Sequence, residues 1–117
     1  MDNTTQDMSV AYVDGLAPGM VIQFGTGDWR DGSVKGVAIS EEAFDQLEPA
    51  IRAAIPDWYG GARYSVTAIT PSSLVALIAA IGTLVYDDPA TMKMIGQVND
   101  WLALTHKRGD AVSIFGI

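Results

Sequence analysis

His106 is the chain's one histidine, in the run Thr105-His106-Lys107-Arg108, and the chain has no cysteine. Thiolate nucleophiles, disulfides and His/His or thiolate metal sites are therefore excluded. A Ser-His-Asp triad would have to use this one imidazole, which lies in a run expected to end a helix. A histidine complementing the negative end of a helix dipole is the simpler reading. The acidic pairs Glu41/Glu42 and Asp87/Asp88 stand where helices are expected to start, and capping accounts for both without acid/base catalysis.

The glycine-rich run from Gly25 to Gly32 is the natural place to seek a phosphate cradle. It lacks one. A dinucleotide fingerprint needs glycine where Arg30 stands, and a P-loop needs Gly-Lys-Ser/Thr followed by a helix. Calcium is no better served. A calcium-binding loop opening at Asp28 would need an oxygen ligand in place of Arg30 and a glutamate in place of Ile39. Arg108-Gly109-Asp110 spells an integrin tripeptide, but the glycine there does the ordinary work of ending a helix. The expectation is a non-enzymatic chain with no catalytic residues, no metal ligands and no cofactor.

Binding is left. Asp28, Trp29 and Asp31 share one glycine-flanked loop, and Asp57, Trp58 and Tyr59 share another. Aromatic side chains with polar neighbours in exposed loops are the residues from which interface hot spots are made. These six are the candidate partner-binding residues. The other reading is that Trp29 and Trp58 fold back over the edge of the core, and exposure of both on one face is what separates the two.

The elements that would position them follow from periodicity. Apolar residues alternate over Val10 to Val13, Met20 to Phe24 and Val37 to Ile39, a strand pattern broken at Asp14-Gly15, at Pro18-Gly19 and over Gly25 to Gly32. The second and third of these strands form a hairpin with the Trp29 loop at its tip. Ser40 followed by Glu41 and Glu42 opens a helix with the stripe Phe44, Leu47, Ile51, Ala54 and Ile55; Pro49 must kink or restart it, and Pro56 ends it. A strand follows over Arg63 to Ile69. Thr70-Pro71 starts a second helix, with its body from Leu74 to Tyr86, and Asp88-Pro89 a third, with Met94, Ile95, Val98, Trp101 and Leu102 on its core face. Ala111 to Phe115 forms a last strand. This order predicts an α+β fold, an antiparallel or mixed sheet of about four to five strands covered on one face by about three helices. Residues 1–8 form a loose polar tail, and residues 9–117 form one globular domain.

Composition narrows the partners. Apolar residues make up 49% of the chain and charged residues 18%, which is globular rather than disordered. The net charge of −7 repels phosphate backbones and anionic lipid, so nucleic acid and membrane surfaces are poor partners while a basic protein is a good one. The longest apolar stretch, Leu74 to Tyr86, is short of the about twenty residues a membrane span needs. The polar start, with Asp2 and Asp7, is unlike a secretory signal, so a cytoplasmic location is expected. A homo-oligomer is compatible with all of this.

The segment ISEEAFDQLEPAIRAAIPDWYGGARYSVTAITPSSLVALIAAI, Ile39 to Ile81, resembles the small immunity proteins of bacterial toxin systems: an acidic helix opening, a Trp-Tyr-Gly-Gly turn, a strand and an apolar helix. The resemblance implies a cytoplasmic antitoxin that neutralises its cognate toxin by direct binding, and the acidity of the chain makes that toxin a basic domain. The alternative is a small-molecule-binding or sensory domain, with a pocket between sheet and helices lined by Met20, Phe24 and Tyr64.

Overall fold

The computed structural model describes residues 8–15, 21–27, 34–59 and 65–116. Its elements run β1 (Ala11–Asp14), β2 (Val21–Thr26), β3 (Lys35–Ser40), α1 (Glu41–Ala54), β4 (Val66–Ile69), α2 (Pro71–Ile81), α3 (Pro89–Lys107) and β5 (Val112–Phe115). The five strands form one sheet in the order β1-β3-β2-β5-β4, with every neighbouring pair antiparallel. This is the α+β architecture expected from the order of elements.

Register follows from alternation. Ile22 and Phe24 of β2 stand opposite Ile39 and Val37 of β3, and Phe24 also faces Ile114 of β5, so one sheet face is a continuous apolar layer. A slip of one residue would turn that layer to the other side. The three helices cover it: Phe44, Leu47 and Ile51 from α1, Leu74, Leu77 and Ile81 from α2, and Met94, Val98 and Leu102 from α3 join these strand residues in one core. On the other face Gln23 is also buried, and its amide donates to the Gly15 carbonyl at 3.0 Å. Gly25 and Gly36 are register partners on that face. A Cβ on Gly36 would lie 1.8 Å from the Phe24 carbonyl oxygen, so only glycine lets β2 and β3 approach there.

Each helix has the cap its sequence announces. The Ser40 hydroxyl accepts from the Ala43 amide at 3.1 Å, Thr70 from Ser73 at 3.2 Å and the Asp88 carboxylate from Thr91 at 3.1 Å. Pro49 neither breaks nor restarts α1, whose buried positions keep one helical phase from Ala43 through Ala54. Pro49 is on the exposed side, where water can satisfy a carbonyl that loses its amide donor.

Two boundaries differ from the periodicity. The second helix stops at Ile81 rather than Tyr86, because Gly82 favours neither helix nor strand and the Thr83 hydroxyl bonds back to the Ala80 carbonyl at 2.7 Å. Met8, assigned from sequence to the loose start, is buried in the core. Residues 1–7 lie outside the described residues.

Candidate functional site

The two predicted binding loops fare differently. Asp28, Trp29 and Asp31 lie outside the described residues. Asp57, Trp58 and Tyr59 follow α1 in a turn in which the Trp58 amide donates to the Ile55 carbonyl at 3.0 Å. That turn folds Trp58 back against the helix. The indole is only 7% exposed and packs on Phe44 with ring centroids 5.7 Å apart; its Nε1 donates to Glu48 Oε2 at 3.0 Å. The expectation of an exposed, partner-binding Trp58 is therefore corrected. A flat aromatic ring next to a helix stripe gains more by covering Phe44 than by facing water, and Glu48 supplies the acceptor its N–H requires. Asp57 and Tyr59 flank it and are exposed, Tyr59 at 64%.

A second loop lies along the opposite flank of α1. Where the sequence suggested more helix, residues 84–88 form an irregular loop. The Tyr86 hydroxyl donates to the Gln46 carbonyl at 2.8 Å, pinning that loop to the middle of α1. Leu84 and Tyr86 pack on the core, which leaves Val85 outward at 83% exposure, with Asp87 and Asp88 beside it.

The result is a ridge with two shoulders. Helical geometry sets Glu41, Asp45, Glu48 and Arg52 on the Trp58 side of α1, and Glu42, Gln46 and Pro49 toward the Tyr86 loop. Among the described residues these segments carry Glu41, Glu42, Asp45 and Glu48 on the helix, Asp57, Asp87 and Asp88 on the shoulders, and one cation, Arg52. Arg52 lies 3.7 Å from Glu48, one turn away. The Asp88 carboxyl is held below its ordinary value, chiefly because it accepts the Thr91 hydroxyl at 2.7 Å and then the Thr91 amide. It keeps its charge to lower pH than an ordinary aspartate does. At the rims of this negative surface stand an exposed aromatic ring and an exposed valine.

The clefts lined by described residues include two of modest size. One, about 160 Å³, lies between the start of α2 and the end of α3, with Ile69, Pro71, Leu74, His106 and Asp110 on its walls. The other, about 260 Å³, is an open groove between β1 and α3 bounded by Tyr12, Asp14, Lys35 and Trp101. Both fall short of the about 300–1,000 Å³ usual for ligand pockets. Of the residues expected to line a pocket, Phe24 is fully buried against Phe44, with centroids 6.2 Å apart, and Met20 and Tyr64 lie outside the described residues. No group of three or more His, Asp or Glu side chains that could hold a metal occurs among the described residues, and no helix there is long and apolar enough to cross a membrane.

Val85 and Tyr12 are exposed apolar side chains that the sequence had placed in a helix body and a strand. The Gly82-Thr83 pair was the available signal for Val85, since it ends the helix. Compared with protein-family models, curated proteins and solved structures, the chain finds no match.

Proposed function

We propose that this protein is a non-enzymatic binding protein that inhibits a basic protein partner, acting as an immunity protein that neutralises a cognate bacterial toxin. The observation that carries the reading is the α1 ridge, where acidic side chains outnumber basic ones among the described residues and where Glu42, Asp57 and Asp87 are exposed together with Tyr59 and Val85. Opposite potentials steer encounter and set orientation, while the partly apolar rim supplies contact area that charge alone does not. The ridge is built on a capped helix and on two loops pinned to it through Trp58 and Tyr86, so little ordering entropy is lost on docking. The Ile39 to Ile81 resemblance to immunity proteins covers this helix and one shoulder.

The test is capture of the tagged chain from its native host after a high-salt wash, followed by growth assays. The expected result is one basic protein in roughly equal amount that arrests growth when expressed alone and is tolerated when this chain is co-expressed. Reversing charge at Glu42, Asp57 and Asp87 to lysine should abolish the rescue while leaving the thermal midpoint near that of the wild type. A partner without toxicity, or rescue by the charge-reversed chain, would overturn the reading.

A further inference from the structure

Among the described residues no strand pairs with the outer edge of β1, and its hydrogen-bonding phase can be read from the structure. The Gly15 amide donates to the Val34 carbonyl, so positions 15, 13 and 11 exchange hydrogen bonds with β3. In an antiparallel ladder those pairs alternate with non-bonded ones. Val10, Tyr12 and Asp14 therefore direct their amides and carbonyls away from the sheet. Edge strands are normally blunted by lysine, proline or a bulge. The run Val10-Ala11-Tyr12-Val13-Asp14 has neither residue, and its register with β3 is one-to-one from Ala11 through Asp14. Tyr12, on the strand's helix-facing side, is 62% exposed beside the groove that Trp101 walls.

We propose that this edge pairs with the same edge of a second copy, antiparallel about a two-fold axis at Tyr12, to give one continuous ten-stranded sheet. This register sets Tyr12 against Tyr12 of the other copy and Val10 against its Asp14, so every outward amide and carbonyl from Val10 to Asp14 finds a partner. It is also the arrangement that charge favours. Asp14 meets an apolar residue rather than another carboxylate, and its neighbour across β3 in its own chain is Lys35. A parallel, in-register pairing would oppose Asp14 to Asp14, which is destabilising. The two-fold keeps like faces together, so both tyrosines lie on the helix side. With strands about 4.8 Å apart, the two copies of β3 are about 14 Å apart. Each α3 packs on its own β3, so that spacing leaves a trough between the two α3 helices where the tyrosines and both Trp101 grooves meet. A five-residue strand pair with this trough lies at or below the about 1,200 Å² of the smallest stable interfaces. The dimer is therefore a weak, concentration-dependent one, strengthened by salt because each copy carries −7.

Sedimentation velocity on the full chain tests this from about 1 µM to about 1 mM, at low and at moderate salt. The weight-average mass should rise from 12.4 kDa toward twice that value, at lower concentration when salt is added. Tyr12→Lys sets two ammonium groups face to face across the axis and should shift the midpoint at least tenfold upward. Tyr59→Lys, on the α1 ridge, should leave it in place. A chain that stays monomeric throughout overturns the proposal, as does a dimer that Tyr12→Lys does not weaken. Neither result bears on the toxin-binding reading, which rests on a different face.

Discussion

Removing the Trp58 side chain should cost the protein much of its stability. The residue follows a helix in a turn, where a substitution of an exposed aromatic would change stability by no more than about 0.5 kcal/mol. The structure makes it a core residue instead. A tryptophan buries roughly 200 Å² of surface, which at about 25 cal/mol per Å² is roughly 5 kcal/mol; alanine keeps a small part of that. Trp58→Ala should therefore destabilise by about 3–5 kcal/mol, a large share of the about 5–15 kcal/mol typical of a domain. In urea, with a slope of about 1.5–2 kcal/mol per molar, the midpoint should fall by about 2 M. Trp58→Phe separates packing from polarity. It keeps a ring on Phe44 but removes the N–H that reaches Glu48, and should cost about 1–2 kcal/mol, since water and Arg52 still reach that carboxylate. Tyr59→Ala, one residue on, should be nearly neutral. If Trp58→Ala costs less than about 1 kcal/mol while capture of the partner is lost, Trp58 is a surface contact and not part of the core.

Other consequences are as direct. Gly36→Ala should cost about 4 kcal/mol or more by urea titration, because its Cβ meets the Phe24 carbonyl and the Gly25 Cα rather than a side chain that can move aside; Gly25→Ala, which meets the Val34 and Phe115 side chains at 2.9 and 3.0 Å, should cost less. Ser40→Ala removes the α1 cap and should lower stability by about 1 kcal/mol, with Ser40→Asp restoring it. Asp88 has a folded-state pKa below its unfolded value, so its contribution is present above the ordinary carboxylate range and is lost as pH falls through the lowered value. The stability difference between wild type and Asp88→Asn should accordingly be greatest at neutral pH and vanish in acid, as read from thermal midpoints across an acid titration.

The parts of the fold legible in the sequence were those set by local rules. Ser40, Thr70 and Asp88 each precede helical periodicity, and each caps a helix. Alternation at Ile22/Phe24 and Val37/Ile39 identified two strands, and their pairing is the hairpin expected from proximity in sequence. What stayed hidden depends on contacts between distant segments. Pro49 looks like a helix breaker until it is known to face water. Trp58 looks like an exposed loop residue until Phe44 and Glu48 are brought beneath it, and nothing in Asp57-Trp58-Tyr59 records which of the three turns inward. Leu84 and Tyr86 carry the apolar character of a helix, yet the packing that uses them is that of a loop held by a backbone carbonyl 40 residues away in sequence. The outer position of β1 was equally invisible, since only the strand order puts it there.

That strand order also governs how the chain comes to be assembled. β5 follows every other element in sequence yet sits between β2 and β4, and β4 is joined to the rest of the sheet only through it. The pairing of Gly25 with Ser113 closes nearly the whole domain. Contacts so distant repay their loop-closure entropy only late, so the sheet should form in two instalments, the three-stranded β1-β3-β2 unit with its helix first and the β5-β4 pair after it. Until the second arrives, β2 is a bare edge in the middle of an unfinished sheet. During synthesis that edge waits for the emergence of Val112 to Phe115, and it is in this interval that the chain is most open to mispairing with its neighbours.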